Sequence, residues 1–255
     1  METELLIDGD LYAFSTAIAL QEVNPFVPGE YAFNEEEAKK VIDSRLAQLE
    51  KRFEPNKMTI ALSCPREENY RLTMVADSYK QHRNKKAGPI GLKAMRAHLM
   101  SNYNVVTEPC LEADDLLGLL ATDPNRPGRK IVVSWDKDVT SIEGETFNPQ
   151  KDQYRKVSKI VSLKFFLYQA LIGDSADGYK GLYRIGPKKA KAILSSINPM
   201  SMAWDVLVEL AIKQGHDEAY LLQQCRLAWI MRNGDYDWDT KTIKLWTPER
   251  INDYL

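Results

Sequence analysis

An α/β fold, a mainly parallel sheet with helices on both faces, is the architecture this sequence predicts, and three observations predict it. Short apolar runs ending in acidic or turn residues recur through the first half of the chain. Patterns of helical period lie between them, and beyond Ser162 helical patterns take over. Strand alternating with helix implies parallel pairing, because a parallel neighbour is reached only through a crossover, usually a helix.

Leu5-Leu6-Ile7-Asp8 is apolar up to an acid and a glycine, as expected of a buried strand that delivers Asp8 to one edge of the sheet. Residues 35–53 place Ala38, Val41, Ile42, Leu46, Leu49 and Phe53 at helical spacing, so a helix with one apolar stripe is expected there. Residues 57–63 (KMTIALS), 104–108 and 130–134 (KIVVS) read as the second, third and fourth strands. Helical patterns fill 90–100 and 112–121, the latter closed by Asp123-Pro124. Residues 163–172, 187–194, 202–212 and 217–231 read as further helices, and 236–246 alternate enough for a strand or hairpin. A boundary near Val161 is therefore expected, with a core over 1–160 and a mostly helical region over 161–255.

At 255 residues, 44% hydrophobic and 27% charged, the composition is that of an ordinary soluble globular protein. Met1-Glu2-Thr3-Glu4 has acids where a secretory signal would carry Lys or Arg, and no apolar run approaches the roughly 20 residues of a membrane helix. A cytoplasmic protein without a membrane partner is expected. Cys64, Cys110 and Cys225 are far apart and lack CxxC spacing, so neither a disulfide framework nor a zinc site is suggested.

The net charge of −2 argues against a polyanion as partner, but its distribution overrules the total. Residues 78–107 contain no acid, against Lys80, Arg83, Lys85, Lys86, Lys93 and Arg96. Residues 178–204 again contain none, against Lys180, Arg184, Lys188, Lys189 and Lys191. Such segregation suits a chain whose acids hold metals and whose bases hold phosphates.

Leu111-Glu112-Ala113-Asp114-Asp115 crowds three carboxylates where an extended run enters a helix. The helix dipole alone favours acids in a first turn. Three more acidic pairs, Asp8 with Asp10, Asp136 with Asp138 and Asp174 with Asp177, also follow apolar runs, which points to one metal site. Ligands of parallel sheets gather beyond the carboxyl ends of the strands, where Asp8, Asp136 and Asp138 fall. On extended backbone Asp136 and Asp138 would point one way and Lys137 the other. Hydrolysing a phosphodiester needs an activated water, shielded phosphoryl charge and a stabilised leaving oxygen, which two divalent ions about 3.5 to 4 Å apart supply.

The stretch from Gly173 through Ala190 joins Asp174 and Asp177 to a glycine-rich turn and to Pro187, a preferred first helical residue. The helix end it opens attracts an anion, so Gly181, Arg184, Gly186, Lys188 and Lys189 read as a clamp on a DNA backbone without sequence preference. Lys80 and Arg83, one helical turn apart, can bind one phosphate from the same side, and Tyr79 beside them can stack on an end base.

The ordered motifs Ile-Asp8-Gly, Tyr-Lys80-x-x-Arg83, Glu112-Ala-Asp114-Asp115, Asp136-Lys-Asp138, Gly-Asp174-x-x-Asp177-Gly and Gly-Pro-Lys-Lys-Ala resemble those of the 5′ nucleases, the flap endonuclease and 5′→3′ exonuclease superfamily. The resemblance runs over about residues 5–194 and is nearest to the short bacteriophage 5′→3′ exonucleases, through Asn69-Tyr70-Arg71 and the tail from Arg226 to Trp246. It implies a PIN-like nuclease core, a helical arch over the site from about 85–98, and a helix-three-turn-helix unit binding duplex DNA. By position, Asp8, Glu112 and Asp114 would bind a first Mg2+ or Mn2+, and Asp136, Asp138 and Asp177 a second, with Asp115 and Asp174 nearby. Lys80 and Arg83 would neutralise the scissile phosphate, Tyr79 would stack on the terminal nucleotide, and Lys85 and Lys86 would contact DNA from the arch. The resemblance also implies K+ in the turn after Gly181, and as substrate double-stranded DNA with a 5′ end or flap, with RNA–DNA hybrids in scope.

Two departures stand out. Ser63 ends the second strand where the family usually has an aspartate, and Glu67 or Glu68 is expected to substitute. Arg184 stands where the hairpin usually has glycine, at a steric cost if φ is positive there, which puts the ion site in question. Two other classes stay open at this level. An aspartate-nucleophile phosphatase would phosphorylate Asp8 and use Asp10 as general acid, but leaves Glu112, Asp114, Asp115 and the clamp unexplained. A non-catalytic DNA-binding module leaves the acids unexplained, since without metal they only weaken DNA affinity.

Overall fold

The computed structural model describes residues 2–24, 26–27, 29–81 and 88–255. Strand β1 (Thr3–Asp8) passes directly into helix α1 (Gly9–Ala19), which is followed by a short hairpin, β2 (Gln21–Val23) and β3 (Tyr31–Phe33). Helix α2 (Glu35–Phe53) starts where the Asn34 side chain accepts from the Glu37 amide at 3.1 Å, carries Glu35, Glu36 and Glu37 against its positive end, and stops at Glu54, whose backbone is left-handed. There follow β4 (Lys57–Ala61), α3 (Leu92–Asn102), β5 (Val105–Val106), α4 (Ala113–Thr122), β6 (Arg129–Val133), β7 (Gly144–Asn148) and β8 (Gln153–Val157). The rear of the chain supplies α5 (Lys159–Ile172), α6 (Pro187–Ser196), α7 (Ala203–Ile212), α8 (Glu218–Ala228) and the small hairpin of β9 (Tyr236–Asp237) and β10 (Thr242–Ile243).

Six strands form one sheet in the order β5-β4-β1-β6-β7-β8. All neighbours pair in parallel except β8, which returns antiparallel on β7. In register, Ile7 lies between Ile60 and Val133. Leu5 and Ile7 pack with Ile42 and Met95 on the face covered by α1, α2 and α3, while Leu6 and Val132 pack with Leu117 and Phe166 on the other. Burial on both faces explains the unbroken apolar run of β1.

The expected strands and helices are present with shifted ends, and residues 236–246 form the expected hairpin. Helix α1, the β2–β3 hairpin and the β7–β8 hairpin are additions. Of the expected arch, residues 85–87 lie outside the described residues. Residues 92–98 belong to α3, whose Met95 and Leu99 are buried against the core rather than spanning open space. At the boundary expected near Val161, α5 begins at Lys159 and one apolar cluster crosses it, joining Leu117 and Val132 to Phe166, Leu207 and Trp246. Among the described residues no helix is long and apolar enough to cross a membrane.

Candidate metal and nucleic-acid site

The carboxylates come from four places and meet at one. Asp8 ends β1 and caps α1, accepting from the Leu11 amide at 3.1 Å, and Asp10 stands in that helix's first turn. Glu112 caps α4, with Asp114 in its first turn. Asp136 and Asp138 follow β6, and Asp174 and Asp177 lie in the turn after α5. These eight carboxylates, with Ser63, Lys80 and Lys137, line one cavity of about 320 Å³. It sits at the carboxyl ends of β1 and β6, as parallel topology favours.

Crowding shows in the protonation of the acids. Burial, then the charges of Asp10 and Asp136, push Asp8 up to about 7, although Ser134 donates to it at 3.1 Å. Burial and the charge of Asp136 push Asp138 up to about 6. Asp114 is raised well above the usual carboxylate range by burial and by Asp8, Asp136 and Glu112 around it. For Glu112, burial opposes the charge, but the Lys80 ammonium and Arg71 guanidinium overcome it and hold the group down at about 2. Such a set of hard oxygen donors, short of positive charge, suits a divalent cation. As the side chains stand, no group of three His, Cys, Asp or Glu among the described residues is arranged to hold an ion. Two ammonium groups lie between them instead: Lys80 Nζ is 2.6 Å from Glu112 and 3.5 Å from Asp177, and Lys137 Nζ is 2.7 Å from Asp174 and 3.2 Å from Asp138.

Lys80 is held there by its backbone. Its φ of +51° is left-handed, uncommon for a residue with a Cβ, and its N–H donates to the Asp177 carbonyl at 2.9 Å while its own carbonyl accepts from Arg66. Tyr79 departs from expectation. Its ring is buried at 3% exposure, out of reach of a terminal base, and its hydroxyl donates to Glu112 Oε2 at 2.8 Å and lies 3.3 Å from Asp177 Oδ2. It joins the α4 carboxylate to the one in the turn.

Asp115 departs too. It is fully buried and outside the cavity, gripped by both ends of the Arg71 guanidinium at 2.7 and 2.8 Å, and it accepts from the Met231 amide at 3.1 Å. Arg71 also donates to Glu112 at 3.1 Å and to the carbonyls of Leu227 and Trp229. Neighbouring helix positions point about 100° apart, so adjacent aspartates divide: Asp114 faces the cavity and Asp115 the core.

Two further expectations change. The backbone after Asp136 is not extended but a 3-10 turn over Lys137–Ser141, in which Asp136 accepts from the Asp138 amide at 2.9 Å, so Lys137 lines the cavity instead of pointing away. Glu67 and Glu68 are exposed in another 3-10 turn and do not line the cavity. The carboxylate beside Ser63 is Asp10, which accepts from the Ser63 amide at 2.9 Å and pairs with Arg96. Its signal in the sequence was its place two residues after Asp8 in a first helical turn. Arg83, Lys85 and Lys86 lie outside the described residues.

The glycine-rich turn is tight, as its glycines allow. Gly181 has φ +64°, its amide donates to Gln224 at 2.9 Å, and a Cβ there would lie 2.4 Å from the Gly173 nitrogen. Arg184 adopts φ +55°, the glycine-like conformation at a non-glycine residue. Gly186 caps α6 without a side chain, Pro187 opens it, and Lys188 and Lys189 are exposed beside that open end.

No family profile matches the chain. Among known proteins it is 25% identical over 212 residues to an exodeoxyribonuclease of Enterobacteria phage T3, covering 71% of this chain and 70% of the relative. It is 24% identical over 217 residues to an exonuclease of Escherichia phage T7, covering 71% of each. Of solved structures, T5 5′-exonuclease with bound divalent zinc superposes at a TM-score of 0.69 with 15% identity, over 99% of this chain and 92% of that one. A bacteriophage T5 D15 flap endonuclease in complex with DNA and metal ions does so at 0.67 with 14% identity, over 99% and 92%. The chain is thus similar in sequence to phage exonucleases and in fold to T5 5′-exonuclease. The mainly parallel sheet is the fold it shares with those structures, and the acid-lined cavity lies at the carboxyl ends of β1 and β6.

Proposed function

We propose that this protein is a 5′ nuclease that hydrolyses phosphodiester bonds near the 5′ end of duplex DNA, as a metal-dependent 5′→3′ exonuclease or on a flap, with RNA–DNA hybrids as a second substrate. One observation carries the reading: eight carboxylates from separate elements converge on one cavity that also holds Lys80. The phage relatives are named exonucleases and the similar structures hold divalent metal or DNA, which favours this reading over an aspartate-nucleophile phosphatase. So does Asp10, which is occupied by Arg96 and the Ser63 amide rather than poised as a free acid.

In this reading Asp8, Glu112 and Asp114 would hold one Mg2+ or Mn2+, and Asp136, Asp138 and Asp177 another, with Asp174 behind them through Lys137. Bound divalent ions supply an activated water and shield the phosphoryl and leaving oxygens. The Lys80 ammonium, placed by its left-handed backbone between Glu112 and Asp177, would neutralise the scissile phosphate. The α6 end at Gly186 and Pro187, with Lys188 and Lys189, takes the duplex backbone. K+ would lie in the turn after Gly181, where Arg184 takes the left-handed backbone of the usual glycine.

Incubating the protein with 5′-labelled duplex, flap and RNA–DNA hybrid, with and without Mg2+, tests the reading. Short 5′ products should appear only with metal. Asp114→Asn should abolish cleavage while DNA binding persists, and undiminished cleavage by that variant would refute the assignment.

A further inference from the structure

Next to the acid-lined cavity lies a second and larger concavity of about 650 Å³, which shares Asp136 and Lys137 with it. One wall is a sheet face: Arg155 and Gln153 of β8 stand opposite Thr146 and Asn148 of β7 in register, and all four face inward. The other wall is a helix face, because Val161, Lys164, Phe165 and Tyr168 of α5 recur at the i, i+3, i+4, i+7 spacing that puts them on one side. Lys191 of α6 and Lys151 of the hairpin turn complete the rim.

Two properties of this groove call for a ligand. Val161 is 49% exposed and Phe165 and Tyr168 are half-buried, so an apolar and aromatic strip of α5 is uncovered. Around it stand Lys151, Arg155, Lys164 and Lys191, none of which has a carboxylate within ion-pair distance among the described residues. On other strands Lys57 of β4 pairs with Glu4 and Arg129 of β6 with Glu145. Unmatched cations along an aromatic strip form the composition that takes phosphates on the rim and bases on the floor. A duplex about 20 Å across is too wide for a groove of this volume, whereas one strand fits.

We propose that this groove is a binding site for single-stranded nucleic acid, holding an unpaired stretch that leads into or out of the acid-lined cavity. Backbone phosphates lie against Lys151 and Arg155 on one side and Lys164 and Lys191 on the other, and a base lies on Tyr168 or Phe165. The inference rests on the nuclease reading for its direction toward the cavity, but its binding chemistry is independent of metal.

The test is fluorescence anisotropy with a labelled oligothymidylate of about ten nucleotides in EDTA, over a salt series. Lys151→Ala/Arg155→Ala and Lys164→Ala/Lys191→Ala should each weaken binding about tenfold. Each should also flatten the dependence of log affinity on log salt by about 1.4, at roughly 0.7 per lost phosphate contact. Lys156→Ala, on the opposite face of β8, should bind as wild type and shows that general surface charge is not the cause. Unchanged single-strand affinity in both double variants overturns the proposal, as does a loss confined to a blunt duplex probe, which makes the groove a duplex surface. Wild-type cleavage of 5′-ended duplex with Mg2+ is measured separately. Cleavage with unaffected groove variants sinks the groove alone, and absent cleavage with weakened variants sinks the nuclease reading alone.

Discussion

At the scale of single residues, Tyr79 shows how one atom can decide between two roles. A residue that stacks on a terminal base must present its ring, whereas here the ring is enclosed and only the hydroxyl reaches the cavity, at 2.8 Å from Glu112 and 3.3 Å from Asp177. These carboxylates belong to different elements and are assigned above to different metal ions. Holding them at a fixed separation is therefore the service the hydroxyl can render. Tyr79→Phe keeps the ring and deletes that link, and a hydrogen bond to a charged group contributes about 1.5 kcal/mol, roughly a factor of ten. The Mg2+ concentration for half-maximal cleavage and the Mn2+ dissociation constant by calorimetry should both rise about tenfold, with DNA affinity in EDTA unchanged. If DNA affinity falls while metal binding stays the same, Tyr79 is a stacking residue after all.

At the scale of elements, the start of α4 is fixed by a partner from far along the chain. Asp115 is fully buried, and Arg71, which meets it 44 residues away in sequence, also binds the carbonyls of Leu227 and Trp229. One guanidinium thus ties the helix bearing Glu112 and Asp114 to the last turn of α8 and the residue after it. Removing one member of a buried pair typically costs about 3 to 5 kcal/mol because a charge is left alone in the core. Arg71→Met should lower the urea-unfolding free energy by that amount, and adding Asp115→Asn should restore part of it. A loss below about 1 kcal/mol for the single variant would show that the pair is not what anchors the helix. This pair also marks where the sequence stopped being legible. The strands around Leu6, Ile60 and Val132 could be read because burial on both faces leaves an unbroken apolar run. Hairpin β7–β8 could not, since β8 is an edge strand exposed from Gln153 through Lys156 and has no alternation to detect. The eight cavity acids could be found as acids at element ends. Which of Asp114 and Asp115 faces the cavity depended on Arg71, a partner that no local pattern reveals, and the same holds for the inward turn of Tyr79.

At the scale of the whole molecule, the fold gathers negative charge at its centre, and stability should record that. Asp8 and Asp138 normally titrate near 3.8 but are raised here to about 7 and about 6 by burial and by each other's neighbours. A carboxyl with a raised folded value binds more protons folded than unfolded between the two values, so its contribution to stability falls as pH rises through that window. Glu4, pressed by burial but held low by Arg126 and Thr59, and Glu112, held at about 2, work in the opposite sense, and their stabilisation is lost as pH falls through their folded values. The metal-stripped protein should therefore be most stable at acid pH, with a melting temperature that declines between about pH 4.5 and 7. Saturating Mg2+ binds only the folded, ionised cluster and should remove most of that decline by mass action. Asp8→Asn should flatten the metal-free curve over the same range while weakening the Mg2+ response, because one substitution removes both the repulsion and the ligand. A metal-free melting temperature that stays level or climbs through that range would mean that the acids do not repel one another in the folded protein, and the case for a shared cation site would go with it.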